Sequence, residues 1–203
     1  MTQRPGGRPD TTSTQYSEDW YTHDLSEQAF SAVSFVDLDL TEASGTGVVF
    51  EDCTFRNAKF NAASFTDSAF TNCTFVGCNF FDASLERCKF MGSVFDACRF
   101  DLLKVTGGNW SFVGLSRAEL GSATFAGVRL AEADLSGARC AGATLRDCDL
   151  GNASLVRADF SGADLRGSIL TSLVPEDSQI RGAIVDLQQA IVIAGNLGLD
   201  IRD

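Results

Sequence analysis

The sequence predicts an all-β solenoid with four-sided coils, and three observations predict it. Apolar residues recur at every fifth position: Phe50, Phe55, Phe60, Phe65, Phe70, Phe75, Phe80, Leu85, Phe90, Phe95 and Phe100, then Leu130, Leu135, Cys140, Leu145, Leu150, Leu155, Phe160, Leu165 and Leu170. A small residue stands two places before each, as in Cys53, Ala58, Ala63 and Ser68, and later Ala133, Ala138 and Ala143. Read every twenty residues, the small position gives Ala43, Ala63, Ala83, Leu103, Ala123, Ala143, Ala163 and Ala183, whereas a step of fifteen gives a mixture. A helix needs a period near 3.6 and a simple strand one near 2, so neither template fits. A fixed internal period means a repeat architecture.

Residues two apart in extended chain share a face, so the small and the large residue of each unit both point inward. The other three positions carry Asp, Asn, Arg, Thr, Ser and Gly and read as solvent-facing corners. Right-angle bends close a coil after four units, and each coil then stacks on its neighbours. From Phe30 to Val185 this makes about 7.8 coils, a rod about 37 Å long at the usual spacing of neighbouring strands.

In chain order, residues 1–15 are rich in Pro, Gly, Thr and Arg and are expected to be disordered. Residues 16–29 bring Trp20, Tyr21 and Leu25 and are expected to cap the open end, where a terminal coil exposes core. The β-helix is assigned to 30–185, irregular at first because Gly45 takes a large position and Val48–Val49 precede Phe50. Its first half is built on Phe and its second on Leu, so the two should pack differently. Between them Leu103 breaks the alanine column and Gly107–Gly108 follow Val105, which predicts a kink or bulge over Leu103–Gly108. Pro175 should distort the last coil.

From Asp186 the period becomes helical. Asp186 and Gln189 make a capping-box pattern, Leu187, Ala190, Ile191 and Ala194 share a face, and Gly198 is a natural stop. Ile193 and Leu197 carry apolar surface beyond that face. Such a short helix needs both the last coil and a second copy of the chain to cover it. Residues 186–203 are therefore read as a dimerisation helix and tail, with Leu187, Ala190, Ile191, Ala194 and Leu197 at the homodimer interface.

Composition narrows the function. The formal net charge of −11 disfavours nucleic acid as a partner, because phosphate neutralisation needs Lys and Arg. It suits proteins that themselves grip nucleic acid. No run is long and apolar enough for a membrane span, and no secretory signal is visible, so the reading is cytoplasmic. Six of the seven cysteines (Cys53, Cys73, Cys78, Cys88, Cys98 and Cys148) occupy small positions and Cys140 a large one. They are read as free core fillers, although Cys53 and Cys73 would stack within disulfide reach. The one histidine, His23, lies ahead of the repeats, and there is no phosphate-binding loop or dinucleotide motif. No enzyme activity, cofactor, metal or small-molecule substrate is expected. Phe81 and Phe112 take outward positions and are candidate exposed contact aromatics.

The units Ala133-Asp134-Leu135-Ser136-Gly137, Ala158-Asp159-Phe160-Ser161-Gly162 and Ala163-Asp164-Leu165-Arg166-Gly167 resemble the A(D/N)LXX signature of the pentapeptide repeat proteins over about residues 25–185. The resemblance implies a right-handed quadrilateral β-helix. The stretch Met91–Arg99, the unit Ala133–Arg139 and the ending Gly182–Ala190 are similar to the MfpA-like DNA-mimic fluoroquinolone-resistance proteins, related to Qnr. That similarity implies binding to DNA gyrase, or to topoisomerase IV, by imitation of duplex DNA, and a dimer joined through the C-terminal helices. Relatives of this kind protect type II topoisomerases from fluoroquinolones or from a self-made antibiotic. Qnr-type proteins carry loops that interrupt the repeat, and here the frame runs unbroken from Phe50 to Leu170.

Residues 30–203 hold 14 bases and 22 acids, a balance of −8, expected to be spread without a dense acidic stripe. Two rods end to end would span about 75 Å and offer about 16 net negatives, where duplex DNA of that length carries about 44. Mimicry must therefore rest on shape and on local clusters, for which Glu51–Asp52, Glu132–Asp134 and Asp147–Asp149 are the candidates. The alternative is a structural rod for an unrelated protein partner, since fold alone does not imply function.

Overall fold

One geometric rule runs through the chain: residue n lies beside residue n + 20 in the next coil. The computed structural model, which describes residues 9–202, holds this parallel register from Ser13↔Val33 to Asp164↔Ile184. A corner every five residues and a register of twenty give four sides per coil, as the alanine column predicts.

The strands are short: β1 (Ser13–Tyr16), β2 (Ala29–Ser31), β3 (Val33–Val36), β4 (Ser44–Thr46), β5 (Val49–Glu51), β6 (Thr54–Arg56), β7 (Ser64–Thr66), β8 (Ala69–Thr71), β9 (Thr74–Val76), β10 (Ser84–Glu86), β11 (Val94–Asp96), β12 (Lys104–Thr106), β13 (Thr124–Ala126) and β14 (Thr144–Arg146). They form three sheets, ordered β1-β3-β6-β9-β11, β4-β7-β10-β12-β13-β14 and β2-β5-β8. The fourth side is held by single bridges, from Asp19↔Asp39 to Asp159↔Gln179.

The first coil begins earlier than expected. Residues 1–8 of the expected disordered tail lie outside the described residues, but Ser13–Tyr16 already pair with Val33–Val36. Residues 16–29 are a coil rather than a separate cap: Asp19 and Asp24 bridge to Asp39 and Ser44, and Leu25 is buried. Trp20 packs on Phe30 and Phe35, with ring centroids 5.2 and 5.5 Å away. Large inward side chains at positions 20, 25 and 30 explain the extension, because they continue the core column one coil further.

Phenylalanine rings stack on the rings twenty residues away, at 4.9 Å for Phe55–Phe75, 4.5 Å for Phe60–Phe80 and 4.7 Å for Phe75–Phe95. Each such pair contributes about 0.5–1.5 kcal/mol beyond its buried area.

Corners are of two kinds, and the small residue that follows distinguishes them. In a tight turn the small residue's N–H donates to the carbonyl of the large residue three before it, as in Ala43 to Leu40 O (3.1 Å), Ala63 to Phe60 O (3.1 Å) and Ala163 to Phe160 O (3.0 Å). In a strand-like corner the chain runs on extended, and cysteine commonly follows. Each of these thiols donates back to the preceding coil and to its own corner: Cys73 Sγ lies 3.4 Å from both Phe50 O and Thr71 O, and Cys148 Sγ lies 3.6 Å from Phe125 O and 3.3 Å from Arg146 O. Ser93 and Ser168, though they follow tight turns, also donate to the preceding coil through their hydroxyls, at 2.6 Å to Phe70 O and 2.7 Å to Leu145 O. Burial pushes Cys88 and Cys148 up to about 11, so they keep the proton they donate. All seven cysteines are free, Cys53 and Cys73 included. At small positions they are therefore hydrogen-bonding links between coils as well as fillers.

The kink expected over Leu103–Gly108 is not formed. Val105 pairs in register with Leu85 below and Phe125 above, and Asn109 bridges both Lys89 and Arg129. Volume is compensated within the coil instead. The large Leu103 is followed by the smaller Val105, and Trp110 is preceded at its small position by Gly108, where a Cβ would stand 2.1 Å from Cys88 O. Gly45 is balanced likewise, with Val48 filling the space its side chain would take. The distortion expected at Pro175 is present as an irregular turn over 174–178, beyond which Gln179 bridges Asp159 again.

The helix α1 (Leu187–Asn196) opens with the capping box: Asp186 Oδ1 accepts from Gln189 N and Gln189 Oε1 accepts from Asp186 N, both at 2.9 Å. Gln189 is buried and its Nε2 donates to Leu165 O and Ser168 O, at 2.6 and 2.7 Å, which ties the helix to the last coils. Among the described residues no helix is long and apolar enough to cross a membrane.

Candidate functional site

Because the register is twenty, each side of the rod can be read as a column of outward residues. Along one corner the N–H groups form a ladder: Asp52 to Thr71 O (3.1 Å), Asn72 to Met91 O (3.0 Å), Gly92 to Ser111 O (3.1 Å), Phe112 to Ala131 O (3.1 Å) and Glu132 to Gly151 O (2.9 Å). This lines Glu51–Asp52, Met91, Phe112 and Glu132–Asp134 along one corner edge of the rod, with Glu51 on the side of β2-β5-β8 and Asp134 on the side that continues β1-β3-β6-β9-β11. From Ser31 to Val174 that edge carries those four carboxylates and no lysine or arginine, although Lys89 and Arg129 stand on the same flat side as Glu51. The edge before it has five bases (Arg87, Lys89, Arg129, Arg146 and Arg166) against four acids (Asp67, Glu86, Asp147 and Asp149). Net negative charge is thus concentrated along one edge, which corrects the expectation of an even spread. An alternation of acids and bases elsewhere conceals the imbalance in a whole-chain count.

Two of the three expected acidic clusters therefore share a surface, and the third does not. Asp147 and Asp149 lie along the neighbouring edge, where Asp149 Oδ2 is 3.9 Å from Arg129 Nε. Among the described residues, none of Glu51, Asp52, Glu132 and Asp134 joins an ion pair. Asp134 Oδ1 accepts the Ser136 N–H at 2.9 Å. The aromatics separate too. Phe112 is 43% exposed on the acidic edge, while Phe81 stands on the opposite edge beside Asp82, whose charge is met by Lys104 at 2.8 Å. Phe112 has φ +60°, a left-handed conformation that a bulky side chain adopts at a cost of about 1–2 kcal/mol, with its ring left in solvent.

The wall of the rod opens next to Phe112. Along the following corner Asp37 donates to Arg56 O, Asn57 to Val76 O and Gly77 to Asp96 O, each at 2.9 Å. Ala97 breaks that series, which resumes with Arg117 to Ser136 O at 3.0 Å. The break falls where the strand-like corner Asp96–Ala97 meets a tight turn closed by Ala118 N to Leu115 O (3.1 Å). The sheet β1-β3-β6-β9-β11 ends there. The mismatch leaves a cavity of about 650 Å³ whose lining includes Val94, Phe95, Asp96, Cys98, Ser116 and Arg117. A second, of about 200 Å³, shares Val94, Phe95 and Ser116 and adds Phe112, Glu132 and Asp134. Sequence reasoning missed this groove. The readable signal was the change at the small position from Cys98 to Ala118, twenty residues apart, which marks a change of corner type.

At the C-terminus, Leu187, Ile191 and Leu197 are 75%, 42% and 45% exposed, while Ile193 packs on the core. Ala190, Ala194 and Leu197 line an apolar cavity of about 240 Å³ with Leu173, Ile180 and Val185. Of the five expected interface residues, Leu187 and Ile191 lie outside that cavity and Ala190, Ala194 and Leu197 line it, with Leu197 and Ala190 still exposed. Among the described residues no group of His, Cys, Asp and Glu is placed to hold a metal ion.

Comparison with known proteins agrees with this architecture. The model of the pentapeptide repeats matches in 8 copies at residues 115–152 and 133–171. A model described as the SV2A/B/C luminal domain matches residues 13–100. No curated protein matches. Among solved structures the chain is similar to full-length QnrB1, a plasmid-mediated fluoroquinolone resistance protein, with 20% identity, 93% of this chain and 99% of that one covered, and a TM-score of 0.60. It is also similar to HetL, a pentapeptide repeat protein involved in heterocyst differentiation regulation from the cyanobacterium Nostoc sp., with 18% identity, 86% and 84% covered, and a TM-score of 0.58. At these identities the likeness is one of fold.

Proposed function

We propose that this chain, whose residues 115–171 match the pentapeptide repeats, is a non-enzymatic rod that binds DNA gyrase in place of duplex DNA, in the manner of the MfpA-like members. The observation that carries this reading is the acidic edge: four unpaired carboxylates and no base along one corner of a parallel β-helix. A gyrase surface that receives DNA is basic, and such an edge attracts it at long range. Glu51–Asp52 and Glu132–Asp134 lie four coils apart, about 19 Å at the strand spacing, so they meet separate basic groups. Contact would inhibit the enzyme at high dose and shield it from a poison, a fluoroquinolone or a self-made antibiotic, at low dose. Topoisomerase IV is the second candidate target. Two copies joined at α1 would double the rod and cover Leu187, Ile191 and the cavity behind Leu197.

The test is a gyrase supercoiling assay with and without ciprofloxacin. Inhibition at micromolar protein, or rescue from the drug at lower dose, supports the reading; neither effect would sink it. For the dimer, Ile191→Asp should give monomers on sizing, and unchanged elution would contradict it. HetL keeps the same fold in a developmental setting, which favours the second reading, a rod for another protein partner. Recovery of gyrase subunits in a pull-down separates the two.

A further inference from the structure

We propose that the groove beside Phe112 is a docking site for an exposed segment of a partner protein, one that places an apolar side chain in the groove and basic residues on its acidic rim. The inference rests on the reading of the chain as a protein-binding rod and goes beyond it by naming the surface and the chemistry of the segment.

Three observations on different links of the chain converge here. The backbone ladder breaks at Ala97, so the wall opens and Cys98 is partly exposed, whereas Cys53, Cys73, Cys78 and Cys88 at equivalent positions are buried. The opening is concave and partly apolar, with Val94 and Phe95 in its wall and the exposed Phe112 at its edge. A partner's aliphatic or aromatic side chain fits that surface, and the partner's own main chain can offer a carbonyl to Ala97 N–H.

Charge then selects the segment. Asp96, Glu119, Glu132 and Asp134 line the two cavities against one base, Arg117. Glu119 is held by Arg139, so Asp96, Glu132 and Asp134 remain for a partner. Lysine or arginine on each side of the apolar residue satisfies them, and a neutral or acidic segment does not. Nucleic acid is repelled by the same carboxylates.

The probe is a fluorescein-labelled peptide with one leucine between two pairs of arginines, beside a counterpart with glutamine at each arginine, titrated by anisotropy against the full chain at low salt. Wild type should bind the basic peptide and not the glutamine one. Ser116→Trp fills the groove without touching charge and should weaken binding by about tenfold or more. Glu132→Gln with Asp134→Asn should weaken it about five- to tenfold, as for two exposed charge contacts. Asp147→Asn with Asp149→Asn, on the neighbouring edge, should change it less than about twofold. The charge variants change no inward residue, so they test the site even if Ser116→Trp disturbs the fold. Equal binding of both peptides, no binding of either, or an unchanged affinity in the Glu132/Asp134 variant overturns the proposal. The same variants are then run against gyrase. If wild type binds gyrase and both groove variants bind it equally well, the groove is wrong and the gyrase reading stands. If the peptide result holds and gyrase is not bound, the groove stands and the target is another protein.

Discussion

The two halves of this rod follow one frame with two core fillings, and the difference shows which features the repeat imposes and which it leaves free. From Phe30 to Phe100 the inward column is largely phenylalanine, stacked ring on ring, and three of the four sides carry strands. From Leu115 onward it is largely leucine; strands persist only as β13 and β14 on one side, and tight turns make most corners. Register is unchanged across the boundary. The backbone ladder therefore sets the frame, while the small-position residue goes with the corner type, cysteine with strand-like corners and alanine, Ala58 excepted, with tight turns. The groove lies where the two corner types meet on one side.

The strongest way to break this comparison is to remove a large residue from each half. Phe75→Ala should cost about 3–5 kcal/mol, because it leaves a cavity and removes the stacks on Phe55 and Phe95. The milder Phe75→Leu should still cost about 1–3 kcal/mol through those stacks, whereas Phe160→Leu in the leucine half should cost less than about 1.5 kcal/mol. Urea unfolding midpoints for the three variants decide it; equal losses for the two leucine variants would mean that filling is not local.

Next comes the boundary. Gly108→Ala should destabilise by about 2–3 kcal/mol, since φ is +89° and the new Cβ meets Cys88 O. Thermal unfolding measures it, and a neutral result would show that the coil can relax where the register says it cannot.

A smaller effect tests the corners. Cys73→Ala should lose about 0.5–1.5 kcal/mol by removing the link to Phe50 O, and Cys73→Ser should recover most of it. Urea midpoints again report the result; equal losses in both would leave the thiol as filler alone.

The smallest effect is electrostatic and belongs to the leucine half. Arg166 donates to both oxygens of Asp164 at 2.9 and 2.7 Å and holds its carboxyl down to about 2. A folded value below the unfolded one contributes stability above about pH 4 that is lost as pH falls through 2. Asp164→Asn should flatten the acid limb of the melting temperature between those values. An unchanged limb would exclude the pair as a contributor.

Much of the fold was legible because its signals are local and repeated. The period of five, the alanine column and the Asp186–Gln189 box each depend on residues that meet through a fixed register or within one helical turn. The boundary misled because Leu103 and Gly108 were read one at a time, while Val105 and Trp110 balance them inside the coil. The first coil was missed because Trp20, Leu25 and Phe30 continue the column with residues less alike than those after Phe50. The site was legible in part. Glu51–Asp52, Glu132–Asp134 and Phe112 were each recognisable as outward residues, but their shared edge appears only when positions are followed in steps of twenty.

The sequence by itself determined the frame: which residues point inward, how many sides a coil has, and where the helix begins. Those are consequences of spacing along an extended chain. Only the tertiary structure decided which surface residues act together and where the wall opens. Both depend on what lies one coil away, and a mismatch between stacked corners exists only once the coils are stacked.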